Sequence, residues 1–189
     1  DRSPVTDADE EAEAFILEAL AREFPGLPVA AEEAAAAGQS CEPCAHFFLV
    51  DPLDGTREFL KANGEFTVNI AEVKDGIAVA GAVYAPAKER MFFGDASGAF
   101  EAAQNPDAPF YASSARRIRA RSPSAEGWVA VGSRSHRDPE TDEFLSRFTV
   151  RQFVSAGSSL KFCLVAAGEA DIYVRAGRTM EWDTAAGHA

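Results

Sequence analysis

Residues 47–59, FFLVDPLDGTREF, join an apolar run from Phe47 to Val50 to two carboxylates, Asp51 and Asp54, in a turn built on Pro52 and Gly55. The run predicts a buried strand that delivers acids to its open end. Pro52 restricts one backbone dihedral and Gly55 admits conformations that other residues resist, so the loop can hold Asp51, the Leu53 carbonyl and Asp54 around one point. Oxygen donors gathered in this way suit a hard divalent cation, Mg²⁺ above all. Thr56 adds a hydroxyl beside the same point. Asp-Pro and Asp-Gly are also common surface-turn dipeptides, so either acid alone would mean little. The whole hexapeptide behind an apolar strand points to chemistry.

Outward from this stretch, the first half of the chain reads as helix plus antiparallel sheet. Ala8, Ala12, Phe15, Ile16, Ala19 and Leu20 recur at helical spacing and predict an amphipathic helix from about Asp7 to Phe24. Ala34 to Gly38 is small and of low complexity, and predicts a mobile loop. Phe66–Val73 and Ile77–Tyr84 alternate in strand fashion about Lys74-Asp75-Gly76, a hairpin signal. Met91–Phe93 and Ala99-Phe100 flank a further glycine turn. Residues 105–126, rich in Pro, Ser and Arg, predict a loop.

Beyond it the rhythm changes to strand Trp128–Gly132, helix Pro139–Phe148, strand Phe148–Val154, helix Ser158–Ala167 and strand Ile172–Val174. Alternating elements of this kind predict a parallel α/β layer. The expectation is an α+β half over residues 1–115 and an α/β half over residues 116–189, with a site in the cleft between them.

Length and composition set bounds without identifying anything. With 189 residues, 47% of them hydrophobic, the chain can bury a sizeable core as one large or two small domains. A net charge of −12 argues against general nucleic-acid binding, which needs a basic footprint. An anionic substrate would therefore need local help from metal or basic residues. There is no apolar run long enough to span a membrane and no visible signal peptide, which makes a cytosolic setting the default, with peripheral association at the inner membrane left open. Three cysteines make no disulfide framework. Cys41-Glu42-Pro43-Cys44 has the spacing of a zinc or redox pair but lacks a second pair, and Cys163 in an apolar helix is most simply a small core residue.

Four acidic signatures stand in order along the chain: Asp9 in SPVTDAD, Glu32-Glu33, DPLDGT at 51–56, and Trp182-Asp183 in EWDTAAGHA. Taken singly, each has a plain structural account. Asp9 with Thr6 would be a capping box, Glu32-Glu33 a solvated pair, Trp182 an apolar anchor and Asp183 a helix cap. Together they resemble the metal-binding pattern of the Mg²⁺-dependent, lithium-sensitive phosphatase superfamily of inositol monophosphatases, fructose bisphosphatases and 3'(2'),5'-bisphosphate nucleotidases. The likeness runs over nearly the whole chain. It is closest to the CysQ-type bisphosphate nucleotidase subgroup of sulfur assimilation, through DPLDGTREF, NGEFTVNIA at 63–71, GAVYAP at 81–86, SRSH at 133–136, GSSLKFCLVA at 157–166 and EWDTAAGHA at 181–189.

The resemblance implies a layered αβαβα sandwich and a phosphomonoesterase that converts adenosine 3',5'-bisphosphate to AMP and phosphate with water, without a covalent intermediate. Glu32, Asp51, the Leu53 carbonyl, Asp54 and Asp183 would bind roughly two or three Mg²⁺ ions. Asp9, Glu32 and Thr56 would orient and deprotonate the attacking water. The substrate would meet Glu32, Leu53, Asp54, Gly55, Thr56, Asp183, Ser133, His136, Ser158, Ser159, Lys161 and Arg175. The start of the helix after Gly157 would attract a second phosphate. Inositol monophosphatases place a carboxylate that contacts inositol hydroxyls near the position of Arg175, where a cation favours a second phosphate instead. Arg134, Lys161, Arg175 and Arg178 are each as compatible with solvated surface charge as with a ligand role.

An inositol-1-monophosphatase-like activity and an inactive fragment that binds metal or an anion remain as alternatives, and a homodimer stays open. Relative to the family, the chain would lack an N-terminal helix and a C-terminal strand and helix.

Overall fold

In a computed structural model, which describes residues 6–39, 44–133 and 138–189, the chain opens with helix α1 (Asp7–Glu23). Thr6 precedes it, and both the Thr6 backbone N–H and hydroxyl donate to the Asp9 carboxylate. The buried stripe of α1 is Asp9, Glu13 and Leu20, with Ile16 and Leu17 packed alongside. The apolar spacing had predicted the neighbouring face. Phe15, expected inside, is 74% exposed. The helix is turned by its acids, because Asp9 and Glu13 find fixed donors in the interior and an exposed Phe costs less than an unpaired buried carboxylate.

Strand β1 (Val29–Ala31) leads into helix α2 (Glu32–Ala36), so Ala34–Ala36 ends a short helix where a loop was expected. Strand β2 (His46–Asp54) carries the decisive stretch, and helix α3 (Thr56–Leu60) follows its turn. Strands β3 (Thr67–Lys74), β4 (Ile77–Ala85), β5 (Arg90–Asp95), β6 (Gly98–Ala103) and β7 (Arg116–Ile118) complete a seven-stranded sheet in sequence order, antiparallel except for the β1–β2 pair. The β3–β4 hairpin turns on Asp75 and Gly76, both at positive φ (51° and 78°), as a two-residue turn of the I′ kind requires. β7 lies within the stretch expected to be loop, and its pairing with β6 carries the sheet on to Ile118.

The second sheet is parallel, with β8 (Trp128–Gly132) between β9 (Val150–Ser155) and β10 (Ile172–Tyr173). Helix α4 (Pro139–Leu145) connects β8 to β9 and helix α5 (Leu160–Ala166) connects β9 to β10, the crossovers parallel pairing needs. The last helix is α6 (Ala185–His188).

Period-two alternation builds the layers. On β2, Phe48 and Val50 pack with Leu20 and Ala31 beneath α1, while Leu49 enters the larger core with Val83, Phe92, Leu160, Cys163 and Val131. Helices α5 and α6 thus lie between the two sheets, with α1 outside the first. α6 approaches β4 so closely that a Cβ on Gly81 would sit 2.3 Å from the Ala186 carbonyl oxygen. Cys163 is a core residue, as expected, and burial pushes its thiol up to about 12.

Candidate active site

The turn after Val50 is held by its own residues. Register is regular through the Asp51–Asn69 pair, shifts over Pro52 and Leu53, and resumes at the Asp54–Thr67 pair. Within the shift the Leu53 N–H donates to Asp51 Oδ1 at 3.0 Å. Gly55 takes φ 95°, a conformation that favours glycine, and a Cβ there would lie a tight 3.3 Å from the Glu65 carbonyl oxygen. This left-handed residue ends β2 and starts α3, which sets Thr56 directly beside the acids.

Asp9 does two jobs with its two oxygens. Oδ2 receives the Thr6 donors at the helix start, while Oδ1 receives the Thr56 hydroxyl at 3.2 Å. The helix-start bonds and the contact with Thr56 therefore coexist, and Asp9 is only 2% exposed. One turn on, Glu13 accepts the Glu33 and Ala34 N–H groups, each at 2.8 Å, and so satisfies the first turn of α2 that carries Glu32. Nothing in the sequence singled out Glu13. Its one trace was an acid at the i+4 position from Asp9, on the face an apolar count assigns to solvent.

Asp54 is anchored from across the molecule. Its Oδ2 accepts the Ser159 N–H at 2.6 Å, the Ser159 hydroxyl at 2.7 Å and, more weakly, Asn69 Nδ2 at 3.4 Å. The N–H at the entrance of α5, expected to attract a phosphate, is thus engaged by a protein carboxylate. Asp183 is fixed by the Met180 N–H, which donates to its Oδ2 at 2.9 Å. Trp182 packs against the main core, in line with an anchoring role.

A cavity of about 630 Å³ lies against this cluster, and Asp9 stands behind its lining. Glu32, Asp51, Asp54, Thr56 and Asp183 form its acidic side, and Lys161, Tyr173, Arg175 and Arg178 line it as well. Ser133 and Ser158 also line it, the Ser158 hydroxyl donating to the Glu65 carbonyl at 3.0 Å. His136 and Arg134 lie outside the described residues, as does Cys41. Cys44 instead donates to the His46 carbonyl, and His46 Nε2 pairs with Glu72 Oε1 at 2.6 Å.

Lys161 departs from the surface-charge account. It is 4% exposed, its ammonium donates to the Ser158 carbonyl, and Nζ stands 5.5 Å from the Tyr173 ring centre. Burial lowers its pKa, while the Asp54 charge opposes the shift. Arg175 donates from Nη2 to the Arg178 carbonyl at 3.1 Å, which keeps its guanidinium at the cavity wall.

Electrostatics on the acidic side are unfavourable by themselves. Burial pushes Glu32 up to about 7; the Asp51 hydrogen bond opposes this, and the charges of Glu33, Asp183 and Asp54 add to it. Asp51 is raised well above the usual carboxylate range by burial and by Asp54, Glu32 and Asp183, and burial also raises Asp183. Among the described residues no three acid, His or Cys side chains already close into a metal cage. Glu32 and Asp51 instead stand within hydrogen-bond reach of each other. Mutually repelling oxygens on one wall form the donor set that suits a hard divalent cation.

A stability consequence follows. The folded-state pKa of Glu32 lies above its ordinary value of 4.5, so its favourable contribution is complete below pH 4.5 and is lost as pH rises through about 7. Metal-stripped protein is expected to melt several degrees lower at pH 8 than at pH 6, and Mg²⁺ should recover the difference at pH 8. Asp138, whose carboxyl the Thr141 N–H holds below 3.8, acts outside that window. Melting curves in EDTA that coincide at the two pH values would remove the assignment.

A layered α/β sandwich whose cavity opposes clustered carboxylates to lysine and arginine is the build of a metal-dependent phosphatase. The chain belongs to the inositol monophosphatase family, whose model matches residues 1–189. Over its whole length it is 46% identical to the 3'(2'),5'-bisphosphate nucleotidase CysQ of Salmonella typhimurium, spanning 73% of that protein. CysQ from Bacteroides thetaiotaomicron superposes with a TM-score of 0.81 at 38% identity, over 100% of this chain and 73% of that one. An IMPase from Thermotoga maritima superposes at 0.77 with 28% identity, over 98% of this chain and 67% of its own. Among the described residues no helix is long and apolar enough to cross a membrane.

Proposed function

We propose that this chain is a 3'(2'),5'-bisphosphate nucleotidase that hydrolyses adenosine 3',5'-bisphosphate to AMP and phosphate. Its cofactor would be Mg²⁺, held by Glu32, Asp51, Asp54, Asp183 and the Leu53 carbonyl. When bound, the cation neutralises charge on the phosphoryl oxygens and acidifies water. The protein supplies direction. The Thr56 hydroxyl donates to Asp9 at 3.2 Å, so as it accepts a proton from the attacking water it passes its own to the Asp9 carboxylate, with Glu32 as a second acceptor nearby. A new P–O bond forms to that water, the bond to the ribose 3'-oxygen breaks on the side of Asp183, and the departing oxygen takes up a proton.

The observation that carries this substrate class is Lys161, a cation buried at the cavity wall with Arg175 beside it. A single phosphate facing the carboxylates leaves those cations idle, whereas a second phosphate uses them. Phosphate release measured on adenosine 3',5'-bisphosphate and on inositol 1-phosphate side by side tests the proposal. Preference for inositol 1-phosphate would overturn it.

Arg175 gives a sharper test within that assay. A charge-assisted contact to phosphate contributes about 1.5–3 kcal/mol, and 1.4 kcal/mol is one decade in rate. Arg175→Ala should therefore lower kcat/KM for the bisphosphate about tenfold and change hydrolysis of a monophosphate much less. Equal losses on both substrates would make Arg175 a structural residue.

A further inference from the structure

The two ends of the acidic wall come from distant parts of the chain, Asp54 from β2 and Asp183 from the segment before α6, and a single buried side chain touches both. Ser159 is 1% exposed. Its hydroxyl lies 2.7 Å from Asp54 Oδ2 and 2.7 Å from the Asp183 carbonyl oxygen, and it accepts from Asn69 Nδ2 at 2.9 Å. A hydroxyl has one proton and two lone pairs, so it donates to one of these oxygens at a time and uses a lone pair for Asn69. Its backbone N–H donates to the same Asp54 oxygen at 2.6 Å. Among the described residues the hydrogen bonds to Asp54 fall on Oδ2, which leaves the other oxygen for the cavity that Asp54 lines.

Asn69 is 1% exposed, pairs with Asp51 across β2–β3, and sends its amide to both Ser159 and Asp54. The chain reaches Ser159 through Ser158, a non-glycine residue at φ 44°, a conformation held only where the surroundings insist on it.

We propose that Ser159 is a positioning residue that sets the spacing of Asp54 and Asp183 for cation binding, joining the seven-stranded sheet to the Trp182-Asp183 segment. This rests on the proposal that those two carboxylates hold the cation. Such outer partners change metal affinity by about 10–100-fold when removed, because they orient a ligand without touching the metal.

The test is calorimetric titration of Mg²⁺ alone into the intact chain, for wild type, Ser159→Ala and Ser159→Thr, beside kcat at saturating Mg²⁺ and melting temperature in EDTA. Ser159→Ala keeps the N–H bond to Asp54 and loses the hydroxyl. It should bind Mg²⁺ about tenfold more weakly. Ser159→Thr, which restores the hydroxyl, should recover most of the affinity. Ser159→Cys, with similar volume and only a weak donor, should fall between the two and serves if alanine unfolds the chain.

Wild-type Mg²⁺ affinity in Ser159→Ala or Ser159→Cys would overturn the proposal, as would equal loss in the alanine and threonine variants. Wild-type protein that binds no Mg²⁺ would overturn the ligand assignment and this inference together.

Discussion

Asp54→Asn is expected to abolish turnover while leaving the fold in place. The substitution keeps shape and removes charge at the most heavily anchored carboxylate of the cavity. Oδ2 accepts the Ser159 N–H and hydroxyl, so an asparagine must present its carbonyl oxygen there. Its amide nitrogen then points at the cavity, where a donor replaces an acceptor. A cation contributes several kcal/mol of charge stabilisation to phosphoryl transfer, so losing one of its ligands should cost at least about a thousandfold in kcat/KM, or ~4 kcal/mol. Circular dichroism and melting temperature in EDTA should match wild type. Phosphate release near the wild-type rate from a folded Asp54→Asn protein would remove Asp54 from the site.

The turn that carries Asp54 was legible because its signals are local. Pro52, Gly55 and two acids behind an apolar run specify a turn through backbone limits that act within a few residues. The β3–β4 hairpin was legible for the same reason, since Asp75-Gly76 meets a demand for two positive φ values. β1, α2, α3 and β7 span only 3, 5, 5 and 3 residues, too short for a period to declare itself.

The face of α1 was misplaced because hydropathy ranks Asp9 and Glu13 as solvent groups. Their partners, Thr56 and the α2 N–H groups, come from elsewhere in the chain. The start of α5 is a related case. Free helical N–H groups do attract anions, but the anion that reached Ser159 was Asp54, 105 residues away. Lys161 was as compatible with a solvated surface charge as with a ligand role until Tyr173 and the Ser158 carbonyl enclosed it. Local geometry can be read along a chain, whereas pairing of buried charges depends on what the fold brings opposite them.

The pairing of Thr56 with Asp9 separates chemistry from architecture. Thr56→Val replaces one hydroxyl by a methyl of similar volume, at the first residue of α3, and leaves Asp9 still engaged by Thr6 through its other oxygen. If Thr56 takes the proton of the attacking water, its loss removes a general-base contribution of typically 10²–10⁴-fold. We expect kcat to fall by about two to three orders of magnitude on that basis, with Mg²⁺ affinity within a few fold of wild type, since Thr56 is not among the proposed cation ligands.

Asp9→Asn should also be slow, but for a mixed reason. It weakens both the link to Thr56 and the bonds from Thr6 that start α1, and so should lower the melting temperature as well. A double variant should be little slower than Thr56→Val alone, because two members of one proton path cannot be lost twice. A Thr56→Val enzyme that keeps kcat within threefold would assign the proton transfer to Glu32 and leave the Thr56–Asp9 bond a structural one.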